Sequence, residues 1–172
     1  YDMGGGTFDA AIVQLRDQTI SVVNHGGDNH LGGKLLDWAI VEEVLIPALL
    51  RERRLTDFRR GNRKWLAPIA KLKMAAEQAK IRLSRDATAD ILLDYLCTDD
   101  RGEAIQFECE LTRNDLERLA EPFILRSLNV CRNILAESRL GAGDIEKVLL
   151  VGGPTLMPYL RACLTDGLGI AL

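Results

Sequence analysis

The sequence predicts a mixed α/β chain, and three observations carry that prediction. Alternating strand patterns follow a triglycine loop near the start. Two long stretches, residues 65–83 and 116–135, repeat apolar side chains at helical steps. Near the end, a short apolar run at 147–151 passes through a glycine pair into a further helical stretch.

The loop reads Asp2-Met3-Gly4-Gly5-Gly6-Thr7-Phe8-Asp9. Glycine lets backbone amides approach a ligand closely, and a run of such amides makes a nest for an anion such as phosphate. Carboxylates repel phosphate, so Asp2 and Asp9 fit the site through a hard divalent cation and its waters. Thr7 adds a hydroxyl for a phosphate oxygen. A ligand-free glycine turn is the competing reading, and the flanking Asp and Thr residues favour the ligand. Residues 8–15 and 19–24 read as strands joined at Asp17-Gln18. The loop therefore opens into a strand, which excludes the Walker loop and the dinucleotide fingerprint. A phosphate-binding β-hairpin remains.

At 172 residues the chain can bury a core and form one or two small domains. Hydrophobic residues at 47% and charged residues at 27% are a globular balance, and a net charge of −3 predicts no general attraction to nucleic acid or membrane. Cys97, Cys109, Cys131 and Cys163 show no CxxC spacing, so reduced thiols in a reducing, cytoplasmic compartment are expected. His25 and His30 lack the company of a zinc site. No stretch reads as a signal peptide or a bilayer span. Tyr1 precedes the loop with no room for a full strand and no initiator Met, so a piece of a longer protein is expected.

A second glycine-rich stretch, residues 26–33, closes the second strand and opens a helix carrying Leu35, Leu36, Ala39, Ile40 and Val44. Pro47 is expected to kink or end it, with continuation through Leu49 and Leu50 as the alternative. Residues 51–64 are strongly basic. They read as a solvated helix end and loop rather than as a nucleic-acid surface. In the next helix Trp65, Ile69, Leu72, Ala76, Ala79 and Leu83 make one buried stripe. Glu77, Lys80, Ile81 and Ser84 share another face, which offers an acceptor, a cation, an apolar surface and a hydroxyl. On this helix alone an ordinary Glu-Lys surface is the preferred reading.

Residues 89–96 and 104–111 read as a hairpin with Ile105, Phe107, Cys109 and Leu111 inward. Thr112 and Asp115 have the spacing of a capped helix start. Pro122 is expected to bend that helix and residues 141–143 to stop it. The run at 147–151 is expected to be a strand buried on both faces. It leads through Gly152 and Gly153 to a helix N-terminus, where a ligand could pass close to the backbone; a tight turn without a ligand is the alternative. Gly167 is expected to end the last helix.

As an ordered set these motifs resemble the seventy-kilodalton heat-shock chaperones of the DnaK type. The motifs are Asp-x-Gly-Gly-Gly-Thr-Phe-Asp at 2–9, Gly-Asp-x-His-Leu-Gly-Gly at 27–33, Glu-x-Ala-Lys-x-x-Leu-Ser at 77–84, Leu-Thr-Arg at 111–113 and Val-Leu-Leu-Val-Gly-Gly-Pro-Thr at 148–155. The resemblance implies the second lobe of an actin-like (ribonuclease H-like) ATPase domain. Residues 1–31 and 120–172 would be its base and 32–119 an inserted α+β subdomain. It implies ATP or ADP with Mg²⁺ as cofactors. Gly4, Gly5, Gly6 and Thr7 would hold phosphates, with Asp2 and Asp9 acting on Mg²⁺ through water. Gly33, Glu77, Lys80, Ile81 and Ser84 would line the nucleoside, and Gly152 and Gly153 would flank phosphate and ribose. No catalytic residue is assigned within the chain. Implied partners are the first ATPase lobe and client-binding domain of the same protein, a nucleotide-exchange factor and a J-domain co-chaperone.

This sequence departs from the family pattern at the base. Ile81 stands where an arginine stacks on adenine, Pro154 and Leu156 replace a serine and an arginine, and Lys34 and Leu35 replace acidic residues. Weakened base recognition is expected. Other readings of the motif set are a sugar kinase, an actin-like filament protein, or a degenerate lobe kept for regulation or protein docking.

Overall fold

A computed structural model describes residues Tyr1–Leu172. The chain divides into two compact units, Tyr1–Leu35 with Ala120–Leu172, and Leu36–Leu119. It passes from one to the other within helix α1 (Gly33–Ile40) and returns within α4 (Arg113–Glu137).

The first unit holds an antiparallel sheet of β1 (Asp2–Met3), β2 (Phe8–Arg16) and β3 (Thr19–Asp28), in that order. Asp17 and Gln18 join β2 to β3 with φ of 49° and 64°. This left-handed pair matches the twist of the flanking strands, although neither residue is glycine. β3 runs through Gly26 and Gly27 to Asp28, beyond the strand end that the glycines predict. Its glycines permit close packing: a Cβ on Gly26 would lie 3.2 Å from Ile134 of α4.

The last turn of α4 also departs from expectation. Arg139, at φ 56°, ends it, with Arg139 N–H donating to Ala136 O and Leu140 N–H to Leu135 O. That is the Schellman pattern, here with arginine in the left-handed position. Gly141 and Gly143 follow after the helix has closed. The 147–151 run does not form the expected central strand. Leu149 and Val151 are 69% and 55% exposed, and only Val151 bridges β1, parallel to Asp2. A strand buried on both faces needs a neighbour and a covering layer on each side. Here its bonds go to Tyr1–Met3 and, at Val148, to Ala171. A short 3₁₀ turn, Gly153–Leu156, precedes α5 (Pro158–Leu168). Gly169, at φ 67°, ends α5 in place of Gly167. Gly167 instead lies against α4, where a Cβ would come within 2.9 Å of Leu128.

The second unit runs from α1 through a π-helical turn (Val41–Leu45) into α2 (Ile46–Glu52). Pro47 does not end this helix. It falls in the first turn of α2, directly after Ile46 N–H reaches back to Val41 O, so the wide turn absorbs the missing proline donor. α3 (Leu66–Leu83) buries the predicted stripe, from Trp65 just before it to Leu83. It packs against β4 (Thr88–Thr98), which pairs antiparallel with β5 (Ala104–Thr112). Ile105, Phe107 and Leu111 are buried, while Cys109 is only half-buried. Thr112 and Asp115 close the start of α4 reciprocally: Asp115 N–H donates to Thr112 Oγ1 at 3.1 Å and Thr112 N–H to Asp115 Oδ2 at 3.1 Å. The basic stretch is exposed as read, but Leu55, Phe58 and the following Trp65 are buried, with the Phe58 and Trp65 rings in tilted contact.

All four cysteines are free thiols. Burial pushes the Cys131 thiol up to about 11, against an ordinary value of 9.0. The folded chain thus keeps its Cys131 proton longer than the unfolded chain does. Any contribution of Cys131 to stability is full below pH 9 and is lost as pH rises toward 11. A thiol reagent at pH 8 is expected to label Cys131 only at the rate of unfolding. Mass spectrometry of the labelled cysteines against time tests this; native-state labelling of Cys131 as fast as Cys109 would refute it.

Candidate nucleotide site

The triglycine loop is built by backbone contacts within the first unit. Gly4 N–H donates to Thr7 O at 2.9 Å, leaving Gly5 and Gly6 as the exposed tip. The amides of Gly5, Gly6 and Thr7 donate to no other group of the chain. The loop's carbonyls, by contrast, are held: Gly33 N–H reaches Gly4 O at 3.0 Å and Lys34 N–H reaches Gly5 O at 2.8 Å. The first amides of α1 thus brace the loop, and Gly33 acts here as a backbone support. Gly32 is required for that approach, since a Cβ on it would lie 2.6 Å from Gly6 N.

Asp2 and Asp9 are directly opposite on β1 and β2, so their side chains share one face of the sheet. Glycines give both carboxylates their places. A Cβ on Gly27 would lie 2.7 Å from Asp9 Oδ1, and one on Gly152 would lie 3.2 Å from Asp2 Oδ1. Gly152 also lies under the strand before the loop. Its φ of 96° and ψ of 150° are reached at little cost only by glycine, and Met3 N–H donates to the neighbouring Val151 O at 3.0 Å. Gly153 faces open space. The first unit therefore brings together Asp2, Gly4, Gly5, Gly6, Thr7, Asp9, Gly33, Gly152 and Gly153. Two adjacent carboxylates repel unless a cation lies between them, and unused amides next to them suit an anion. This donor set fits a metal-bound phosphate.

Glu77, Lys80, Ile81 and Ser84 belong to the second unit. They lie along α3 and its C-cap, with Ile81 exposed and the others half-buried. The sequence reading missed the group that holds Lys80. Asp37, only 1% exposed, holds Lys80 Nζ at 2.6 Å and Lys73 Nζ at 3.8 Å. Lys73 in turn reaches Glu77 at 3.1 Å. The signal was present: Asp37 is a carboxylate among the apolar residues Leu36, Ala39 and Ile40, and Lys73 and Lys80 are two helical turns apart on one face.

A family model described as Hsp70 protein matches residues 1–170. This chain belongs to the Hsp70 family. Among Hsp70 relatives, it is 39% identical over 161 residues to chaperone protein DnaK of Ureaplasma urealyticum, covering 94% of this chain and 26% of that one. It is 35% identical over 170 residues to a mitochondrial-type heat shock protein 70 of Encephalitozoon hellem, covering 99% and 28%. It is 35% identical over 173 residues to DnaK of Buchnera aphidicola, covering 98% and 26%. The chain thus spans about a quarter of the length of these Hsp70 relatives. Its mixed α/β architecture with small sheets accords with a piece of an Hsp70 nucleotide-binding domain. No helix is long and apolar enough to cross a membrane.

Proposed function

We propose that this chain is the nucleotide-binding lobe of an ATP-dependent chaperone, the second half of an actin-like ATPase domain. Its two units would serve as base and inserted subdomain. The observation that carries the reading is the exposed Gly5–Gly6–Thr7 amide row beside the Asp2/Asp9 pair. Gly5, Gly6 and Thr7 hold the β/γ-phosphates through their free amides; Gly4, expected to join them, has its amide spent on Thr7 O and shapes the loop instead. Asp2 and Asp9 hold Mg²⁺ through water, and the ion neutralises phosphate charge. Glu77, Lys80, Ile81 and Ser84 meet the nucleoside, with Gly33, Gly152 and Gly153 bounding it and the phosphates. Phosphoryl transfer to water needs cationic and positioning groups on both sides of the phosphate, and this chain assigns none as catalytic.

Base recognition is weak on this reading. Ile81, 55% exposed, offers apolar contact but no guanidinium to stack on adenine, and Leu156, 64% exposed, adds none. Losing a stacking contact of about 1–3 kcal/mol lowers affinity by roughly tenfold or more. Titration of the chain with ATP, GTP and ADP in Mg²⁺ is expected to give weak binding, little discrimination between ATP and GTP, and no turnover. Tight, adenine-selective binding would refute the account of Ile81. Absence of any polyphosphate binding would refute the site. The latter result would favour a degenerate lobe used for docking or regulation, the reading that Ile81, Pro154 and Leu156 support.

A further inference from the structure

Lys34 is exposed, and no carboxylate of the chain pairs with it. Its backbone amide is spent on Gly5 O at 2.8 Å, which fixes the start of the side chain against the loop tip. The side chain then folds over the same glycine: a Cβ on Gly5 would lie 3.7 Å from Lys34 Cε. The atom carrying the ammonium therefore stands where a side chain on Gly5 would meet it, beside the loop whose Gly5, Gly6 and Thr7 amides have no acceptor. An ammonium and a row of unused amides are both positive toward what lies between them, and an anion there satisfies the two together. The resemblance leads one to expect an acidic residue at this position, so the sign of the charge at the tip is reversed in this chain.

We propose that Lys34 is a phosphate-binding residue of the loop, adding an ammonium to the Gly5–Thr7 amides around a di- or triphosphate tail. This rests on the reading of the loop as a phosphate site. It gives the chain an affinity for the phosphate tail that does not depend on the base, which suits a site whose base-contacting residues are reduced. A charge-assisted contact of this kind is worth about tenfold in affinity.

The test is a ³¹P NMR titration of the full 172-residue chain with inorganic tripolyphosphate, then with ATP, both in Mg²⁺. Lys34→Ala is expected to weaken both ligands about tenfold and equally, since the contact is to phosphate alone. Lys34→Glu is expected to weaken both further, and Lys34→Arg to bind nearly as the unmodified chain does. Thermal midpoints of all three should stay unmoved, because the side chain is exposed and unpaired. Arg16→Ala removes the same charge from the end of β2 and is expected to leave affinity unchanged. Equal tripolyphosphate binding by Lys34→Ala and the unmodified chain overturns the proposal but leaves the loop a phosphate site. An equal loss in Arg16→Ala overturns it too, by making the effect one of net charge. Failure of the unmodified chain to bind tripolyphosphate overturns both the proposal and the site.

Discussion

Gly152→Ala is expected to destabilise the first unit by about 4 kcal/mol or more, the largest effect of any single methyl addition to this chain. Two costs combine. The backbone at Gly152 sits at φ 96°, ψ 150°, where a side chain costs roughly 1–3 kcal/mol in strain. The new Cβ would also lie 2.0 Å from Met3 O and 2.6 Å from Met3 C, a collision with backbone. Met3 cannot retreat easily. Its amide is bonded to Val151 O at 3.0 Å, and Val151 N–H is bonded to Tyr1 O at 2.9 Å. Moving β1 would also pull on Gly4, whose carbonyl braces the start of α1. Gly153→Ala is the matched control: nothing lies within 4 Å of its Cβ position, so its unfolding free energy should change by no more than about 0.5 kcal/mol. Urea unfolding of the two variants measures the contrast. A Gly152→Ala midpoint equal to that of Gly153→Ala would mean that the corner yields freely, and that the loop and this turn are not fixed against each other.

The need for glycine at such positions was legible in the sequence only as a count. Gly152 and Gly153 look alike in the motif, yet one is pressed against Met3 and the other faces open space. Periodicity served well where one face is buried. The α3 stripe and the inward residues Ile105, Phe107 and Leu111 follow from spacing alone, because burial in those elements is decided by neighbours on one side. The same reasoning failed at 147–151. An apolar run reports a tendency to be covered, but the exposed Leu149 and Val151 show that cover requires partners which composition does not supply. Helix ends were misjudged for a related reason. Glycine is the usual left-handed terminator, so Gly141 and Gly167 drew the assignment, whereas Arg139 and Gly169 carry the positive φ. Of the candidate site, the hairpin that carries the loop was readable from the strand pattern that follows the triglycine. The hold of Asp37 on Lys80 was not, because it joins two elements far apart in sequence.

Asp37→Ala is expected to cost about 3 kcal/mol, toward the lower part of the range for breaking a buried ion pair. Asp37 is 1% exposed, so its carboxylate has given up water for Lys80 Nζ at 2.6 Å and Lys73 Nζ at 3.8 Å. Removing it leaves two ammonium groups on one face of α3, with Glu77 3.1 Å from Lys73. The Lys80 side chain is still 14% exposed, and partial hydration keeps the loss below that of a fully enclosed pair. Asp37→Asn keeps the shape and removes the charge, so it should fall between Ala and the unmodified chain. Replacing both members, Asp37→Leu with Lys80→Met, removes the stranded charge and should recover most of the stability, as apolar substitutes for buried pairs do. The double-mutant cycle in urea isolates the coupling, and additive losses would show that the pair contributes no mutual stabilisation. The consequence reaches the proposed nucleoside face. A lysine already held in one rotamer loses little freedom when a ligand arrives, so Asp37→Asn should weaken ATP binding while leaving tripolyphosphate binding unchanged. The opposite pattern, tripolyphosphate weakened and ATP spared, would place Lys80 with the phosphates and sink the division of labour between α3 and the triglycine loop.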